Sequence, residues 1–189
     1  QERLGTPVTI ANDGKCAANA EIYNGALFQV NCGAVVVLGT GIGGGIVLDK
    51  KVWMGNSFGA GELSLLPTGF EKLRFGLRGP EDIRLLWAGA ASTSALLGNY
   101  MLRKGMDPRG EMDGLKFFEA YDAGDPAAKE ALADLGRMVA AGIYAIQSVL
   151  DLERYAIGGG ISARSEVTQA VQAGLDEIFQ NIAMTPFSK

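Results

Sequence analysis

The chain has 189 residues, 48% of them hydrophobic and 20% charged, with a formal net charge of −4 and no histidine. This length suits one domain with a real core or two small lobes, and no apolar run reaches the roughly 20 residues that would span a bilayer. The acidic balance argues against nucleic-acid binding through this segment. The missing imidazole excludes Ser–His and Cys–His nucleophiles as well as zinc sites built from His and Cys. Proton transfer therefore falls to a carboxylate, Lys, Tyr or Cys.

In chain order, Val8-Thr9-Ile10 reads as a short strand behind Pro7. Asn12-Asp13 follows and opens an Ala-rich helix running to Glu21. Cys16 lies on that helix. Cys16 and Cys32 have no metal-ligand spacing, and Gln1-Glu2-Arg3-Leu4 shows no signal-peptide core, which disfavours a disulfide between them. Ala34 to Leu38 is a buried strand by its β-branched content. Ile46 to Leu48 and Lys51 to Trp53 flank Asp49-Lys50, the pattern of two strands around a tight turn. Gly55 to Gly61 reads as loop, and Leu63 to Leu66 as a further strand ended by Pro67.

From Ile83 the pattern becomes helical, with one Ala- and Leu-rich helix over Ala88 to Leu102. Met106 to Gly114 is a polar connection, and Leu115 to Tyr121 a short helix. Asp125-Pro126 opens the longest helix, because Asp can cap and Pro fits the first turn. Leu132, Leu135, Val139, Ile143, Ile146 and Leu150 form its apolar stripe. Tyr155 to Ile157 is a strand. Gly158-Gly159-Gly160 follows, and Ser162 is placed to cap a helix with Val167, Val171, Leu175 and Ile178 on its buried face. The tail after Ile182, with Pro186, reads as the start of a linker.

Three constellations bear on chemistry. Gly39-Thr40-Gly41-Ile42-Gly43-Gly44-Gly45 has five glycines in seven residues, so a polyanion can approach its backbone N–H groups closely. The spacing Gly39-x-Gly41-x-x-Gly44, with Glu62 beyond, matches a dinucleotide fingerprint. That fingerprint requires a helix after the glycines, whereas Ile46-Val47-Leu48 leads into a turn and another strand. A Walker-type loop is absent, because no Gly-Lys-Ser or Gly-Lys-Thr follows; a plain tight turn is the bland alternative. Asp13, at a helix start, would stay ionised beside unpaired N–H groups and could accept a hydroxyl proton; the bland reading is that it is simply the N-cap. Ile157 to Ser162 suits close approach of a flat or anionic ligand, or is an ordinary strand–helix turn.

Together these segments resemble the ROK family of sugar kinases and sugar-responsive repressors. Thr9-Ile10-Ala11-Asn12-Asp13 through Glu21 is similar to its catalytic motif, and Leu38 to Ile46 to its second phosphate loop. Gly55 through Gly59-Ala60-Gly61-Glu62 is similar to its sugar-binding segment, and Ile157 to Ser162 to its adenosine-binding segment. The resemblance implies an α/β, actin-like ATPase or ribonuclease-H-like fold, mainly its C-terminal lobe. Residues 1–11 would end the N-terminal lobe, and 12–189 would form the sugar- and ATP-binding lobe, truncated at both ends relative to the family.

The resemblance also implies roles. Asp13 would be the general base, with Asn12 and Glu62 binding the sugar. Gly39, Thr40, Gly41 and Gly43 would face ATP phosphates, and Gly159 and Gly160 would border the adenosine. ATP and Mg2+ would be required, without structural zinc, since Leu66 to Arg84 holds no Cys. Leu65 stands where many members carry a His, and Trp87 to Ser92 offers no match for a second sugar-binding Glu. These departures point to a zinc-free branch like the bacterial β-glucoside kinases. The implied protein is a cytoplasmic homodimer that binds a small sugar, no membrane, and no nucleic acid through this segment; a fragment lacking the first phosphate motif would be inactive alone. The alternatives are the sugar-sensing body of a transcriptional repressor and, further off, a nicotinamide oxidoreductase.

Overall fold

The computed structural model describes residues 3, 5–8, 10–70, 80–108 and 110–181. Its centre is a four-stranded sheet of order β3-β2-β1-β4. The strands are β1 (Gly33–Leu38), β2 (Ile42–Leu48), β3 (Lys51–Val52) and β4 (Arg154–Gly158). β1 pairs antiparallel with β2 and parallel with β4, and β2 pairs antiparallel with β3. Asp49 and Lys50 both have positive φ, 52° and 60°, as a two-residue hairpin turn matched to strand twist requires.

The helices are α1 (Asp13–Asn24), α2 (Trp87–Ala91), α3 (Thr93–Arg103), α4 (Gly114–Asp122), α5 (Pro126–Leu150) and α6 (Ser165–Asn181). β1 is buried on both faces, which is why its sequence is continuously apolar rather than alternating. Val35 faces α1 in a small core with Ala18, Leu27, Val30, Val47 and Ala156. Ala34, Val36 and Leu38 face the larger core, which includes Trp87, Phe117, Leu132, Val139 and Ile143. α5 begins as its sequence specifies: the Asp125 carboxylate accepts the Ala127 N–H at 2.9 Å, and Pro126 occupies the first turn. Its stripe is buried from Leu132 to Ile146, while Leu150 is exposed. α5 and α6 pack closely enough that a Cβ on Gly136 would stand 2.3 Å from the Ala170 carbonyl oxygen. Among the described residues no helix is long and apolar enough to cross a membrane.

Four expectations about local structure are corrected. Val8 and Ile10 form no strand; they are exposed, Ile10 by 99%, and no described strand lies alongside to pair with their backbone. Thr9 lies outside the described residues. Leu63–Leu65 is a single 3₁₀ turn, not a strand; it buries Leu63 against the sheet, and only Pro67 makes a bridge, to Leu86. The helix expected over Ala88 to Leu102 is two helices broken at Ser92. The Thr93 N–H donates to the Gly39 carbonyl at 2.9 Å and its hydroxyl to the Leu38 carbonyl at 3.1 Å, so docking on the glycine turn redirects the chain. The buried Ser92 hydroxyl then caps α3 by accepting the Ala95 N–H. Ser162 caps no helix: it sits in a 3₁₀ turn over Gly160–Ala163 and donates to the Gly159 carbonyl, and α6 starts at Ser165. Cys16 and Cys32 are free thiols. The tail beyond Asn181 lies outside the described residues.

Candidate active site

The site starts at the first turn of α1, whose leading N–H groups have no partner within the helix. Asn12 is the N-cap; its Oδ1 accepts the Lys15 N–H at 3.1 Å. Asp13 is the first helical residue and accepts the N–H of Gly14 on Oδ1 at 2.8 Å. The capping role open to Asp13 in the sequence thus belongs to Asn12. Both side chains are exposed, and the second Asp13 oxygen is left for another partner.

Glycines decide where this turn sits. A Cβ on Gly14 would stand 2.5 Å from the Gly44 nitrogen, so α1 rests backbone to backbone on β2. A Cβ on Gly44 would meet the Val35 carbonyl at 2.1 Å, and one on Gly45 would meet Ala18 at 2.8 Å. These two glycines therefore answer to packing, and with Gly43 they lie in strand β2 rather than in a loop. Gly39, Gly41 and Gly43 differ: a Cβ on any of them would meet nothing nearer than 3.7 Å. The fold does not demand glycine there, and all three line an open pocket.

The turn proper is Gly39-Thr40-Gly41. The Gly39 N–H donates to the Gly41 carbonyl at 3.0 Å, so Gly39 contributes its lack of a side chain rather than a donor. Among the described residues the Thr40 and Gly41 N–H groups have no backbone acceptor. They sit at the carboxyl end of β1, where ligands of α/β sheets gather.

Two pockets meet at this turn. One of about 420 Å³ is lined by Asn12, Asp13, Gly39, Thr40, Gly41 and Glu62, among others. The second, of about 840 Å³, is lined by Thr40 and Gly41 again, with Arg84, Ser92, Asn99 and Asp134. Both volumes lie in the range of small-molecule sites. The sequence-derived candidates Asn12, Asp13, Glu62, Gly39, Thr40, Gly41 and Gly43 thus share one pocket.

Gly159 and Gly160 line neither pocket. Gly159 has φ of 99°, and a Cβ there would stand 2.2 Å from the Leu38 carbonyl oxygen. It is glycine because its backbone crosses the end of β1, one residue before the Gly39 turn. A Cβ on Gly160 would meet nothing within 4 Å. The following 3₁₀ turn is tied to α4 by Arg164, which bonds Asp122 at 2.6 Å and Glu166 at 2.8 Å and lies over the Phe118 ring. Hydrogen bonding from Arg164 pulls the Glu166 carboxyl down to about 2.

Sequence reading passed over Lys15. It is 3% exposed, and its Nζ donates to Glu62 Oε1 at 2.8 Å. The signal was its register: Lys15, Ala18 and Ile22 recur at three- and four-residue steps, the face α1 turns to the sheet. Two other positions singled out in the sequence hold nothing in the site. Leu65 is exposed, and Trp87 is a core residue whose Nε1–H donates to the Met138 carbonyl at 2.9 Å.

Comparison with known proteins shows the family and the fold. A β-glucoside kinase from Klebsiella pneumoniae is 30% identical over 168 residues, covering 87% of this chain and 53% of that protein. A ROK family glucokinase from Streptomyces griseus, solved with glucose and AMPPNP, superposes with a TM-score of 0.77 at 26% identity, covering 92% of this chain and 60% of that one. A ROK family transcriptional regulator, a homologue of the Escherichia coli MLC protein, superposes with a TM-score of 0.76 at 27% identity, over 93% and 45% of the two chains. The chain spans about half the length of the curated relatives it matches. The fold is thus the actin-like ATPase fold of the ROK sugar kinases, and with the ROK family model matching residues 1–188, the chain belongs to the ROK family.

Proposed function

We propose that the protein containing this chain is an ATP-dependent carbohydrate kinase that phosphorylates a sugar or glycoside hydroxyl. The observation that carries the reading is the Thr40-Gly41 turn, the shared wall of a pocket holding Asp13 and Glu62 and of a larger pocket beyond. A phosphoryl group passing between two ligands needs such a boundary. The residues fit a nucleotide: the turn presents two N–H groups without a backbone acceptor among the described residues and leaves the space of three absent side chains.

In this reading Asp13 takes the proton from the attacking hydroxyl. Its Oδ1 is held by the Gly14 N–H, so the other oxygen is oriented for the task. Asn12 Oδ1 is engaged by Lys15, which leaves its amide N–H₂ to donate to the sugar. Glu62 accepts a second hydroxyl. Thr40 and Gly41 donate to phosphate oxygens, Gly39 and Gly43 keep the approach open, and the larger pocket has room for the rest of the nucleotide. Gly159 and Gly160 act from the edge, with Gly159 supporting the turn through Leu38. ATP brings its Mg2+ on the phosphates; among the described residues no group of three or more His, Cys, Asp or Glu gathers to hold a metal. The reading carries with it a cytoplasmic homodimer. Chemistry of this kind is positioning and electrostatics with a carboxylate base, which a chain without histidine can supply.

The likeness to a transcriptional regulator favours a second reading, a sugar-sensing body without turnover. A coupled ADP-release assay of the full-length protein against hexoses and β-glucosides separates the two. Sugar-dependent turnover supports the kinase; sugar binding without turnover supports the sensor.

A further inference from the structure

The side chain of the buried lysine behind the pocket has no part in the roles above, where only its backbone N–H acts, on Asn12. Lys15 is 3% exposed, while the Glu62 side chain it bonds is 39% exposed. An ammonium taken out of water is costly unless paired, and among the described residues Glu62 is its side-chain partner. The two lie 47 residues apart in sequence. Lys15 is on α1, two residues after Asp13, and Glu62 precedes the 3₁₀ turn at Leu63–Leu65. Lys15 does not line the pocket; Asn12, Asp13 and Glu62 do. The ammonium thus sits in the wall and holds one oxygen of a carboxylate that reaches the open space.

We propose that Lys15 is a positioning residue that fixes the Glu62 carboxylate, occupying Oε1 so that Oε2 is the oxygen presented to a sugar hydroxyl. The proposal rests on the sugar-pocket reading and deepens it. A flexible Glu has several rotamers to lose on binding ligand, and a charge-assisted bond from a rigid, buried donor removes that cost beforehand. Because Lys15 rides on the helix that carries Asp13, the same bond sets the distance between the base and the second sugar contact. Glu62 presents one free oxygen and a neutralised charge, which suits a neutral sugar hydroxyl better than a cationic amino sugar.

The two partners differ in what their loss leaves behind. Lys15→Met puts an apolar chain in a buried site and leaves Glu62 in contact with solvent, so the fold should survive. Lys15→Gln keeps a neutral donor and serves where Met does not fold. The test uses the full-length protein, with glucose and a β-glucoside as probes, and measures thermal midpoint, sugar binding by calorimetry, and the KM for sugar and for ATP. Lys15→Met should weaken sugar binding and raise the sugar KM about tenfold or more. The ATP KM should stay within about twofold, and Lys15→Gln should lie between the two. In a Glu62→Gln background, Lys15→Met should add less than about twofold, because its action runs through Glu62.

A folded Lys15→Met or Lys15→Gln variant with unchanged sugar binding overturns the proposal, as does full additivity with Glu62→Gln. Failure of the kinase reading looks different. If the wild type binds sugar but does not phosphorylate it, calorimetry still tests Lys15. If it binds none of the probes, the pocket is not a sugar site and the role of Lys15 falls with it.

Discussion

Gly14 and Gly44 touch through their backbones: a Cβ on Gly14 would stand 2.5 Å from the Gly44 nitrogen and 2.7 Å from its carbonyl oxygen. This contact sets the height of α1 above β2 and with it the position of Asp13. Gly14→Val should therefore cost about 1–3 kcal/mol of stability and lift Asp13 out of line. The checks are a thermal melt and steady-state kinetics of the full-length protein; a variant as stable and active as wild type contradicts the packing account.

Asp13→Ala tests the base. Removing a general base should lower kcat by about 10²–10⁴-fold, with sugar binding nearly unchanged because Asn12 and Glu62 remain. Asp13→Asn keeps the acceptor for the Gly14 N–H but cannot take the proton, so it should lose turnover equally while melting like wild type. Wild-type turnover in either variant would remove Asp13 from the mechanism.

Trp87 of α2 lies against Gly142 of α5, with no room for a side chain there. A Cβ on Gly142 would lie 2.1 Å from the indole ring. Gly142→Ala should cost about 1–3 kcal/mol. In a Trp87→Phe background, where the ring is smaller, the same change should cost less. Strict additivity of the two in urea unfolding would show that the clash is relieved elsewhere.

Glu166 and Asp122 supply a pH dependence with a definite sign. Hydrogen bonding from Arg164 lowers both carboxyls, Glu166 from its ordinary 4.5 to about 2. A depressed carboxyl contributes stability that is fully present above its unfolded value and is lost as pH falls through its folded value. The wild type should therefore exceed Glu166→Gln in thermal midpoint at about pH 6, and the gap should close between about pH 4.5 and 2. A gap that stays constant over that window would show that the ion pair adds nothing; exposure of these groups keeps the effect small.

The elements that local rules describe were legible in the sequence. Asp125-Pro126 opened α5, Asp49-Lys50 turned a hairpin, and the β-branched run Val35-Val36-Val37 made a strand. The cap and the turn depend on contacts within a few residues, and the strand on the β-branched composition of its own run, although its pairing with β4 is long-range. The resemblance added the roles of Asn12, Asp13 and Glu62, and the structure shows that these residues share a pocket with the glycine turn. The glycine run itself was legible only in part: its pattern marked a close approach, but not that Gly44 and Gly45 answer to Val35 and Ala18 while Gly39, Gly41 and Gly43 have room for a Cβ and line the pocket.

Composition and local patterns by themselves determined a chain of strands and helices that holds no imidazole and places a carboxylate at a helix start. Only the tertiary structure decided that Ser92 breaks a helix, that Leu63–Leu65 coils instead of extending, and that Lys15 lies in the pocket wall. The Ala-rich segment around Ser92 favours helix locally, yet Thr93 is drawn to the carbonyls of Leu38 and Gly39. A lysine on a short polar helix favours water, yet the Lys15 side chain is buried and Glu62, 47 residues on, meets its ammonium from the pocket side. Free energies of this kind come from groups far apart in the chain, and no local pattern records which of them will meet.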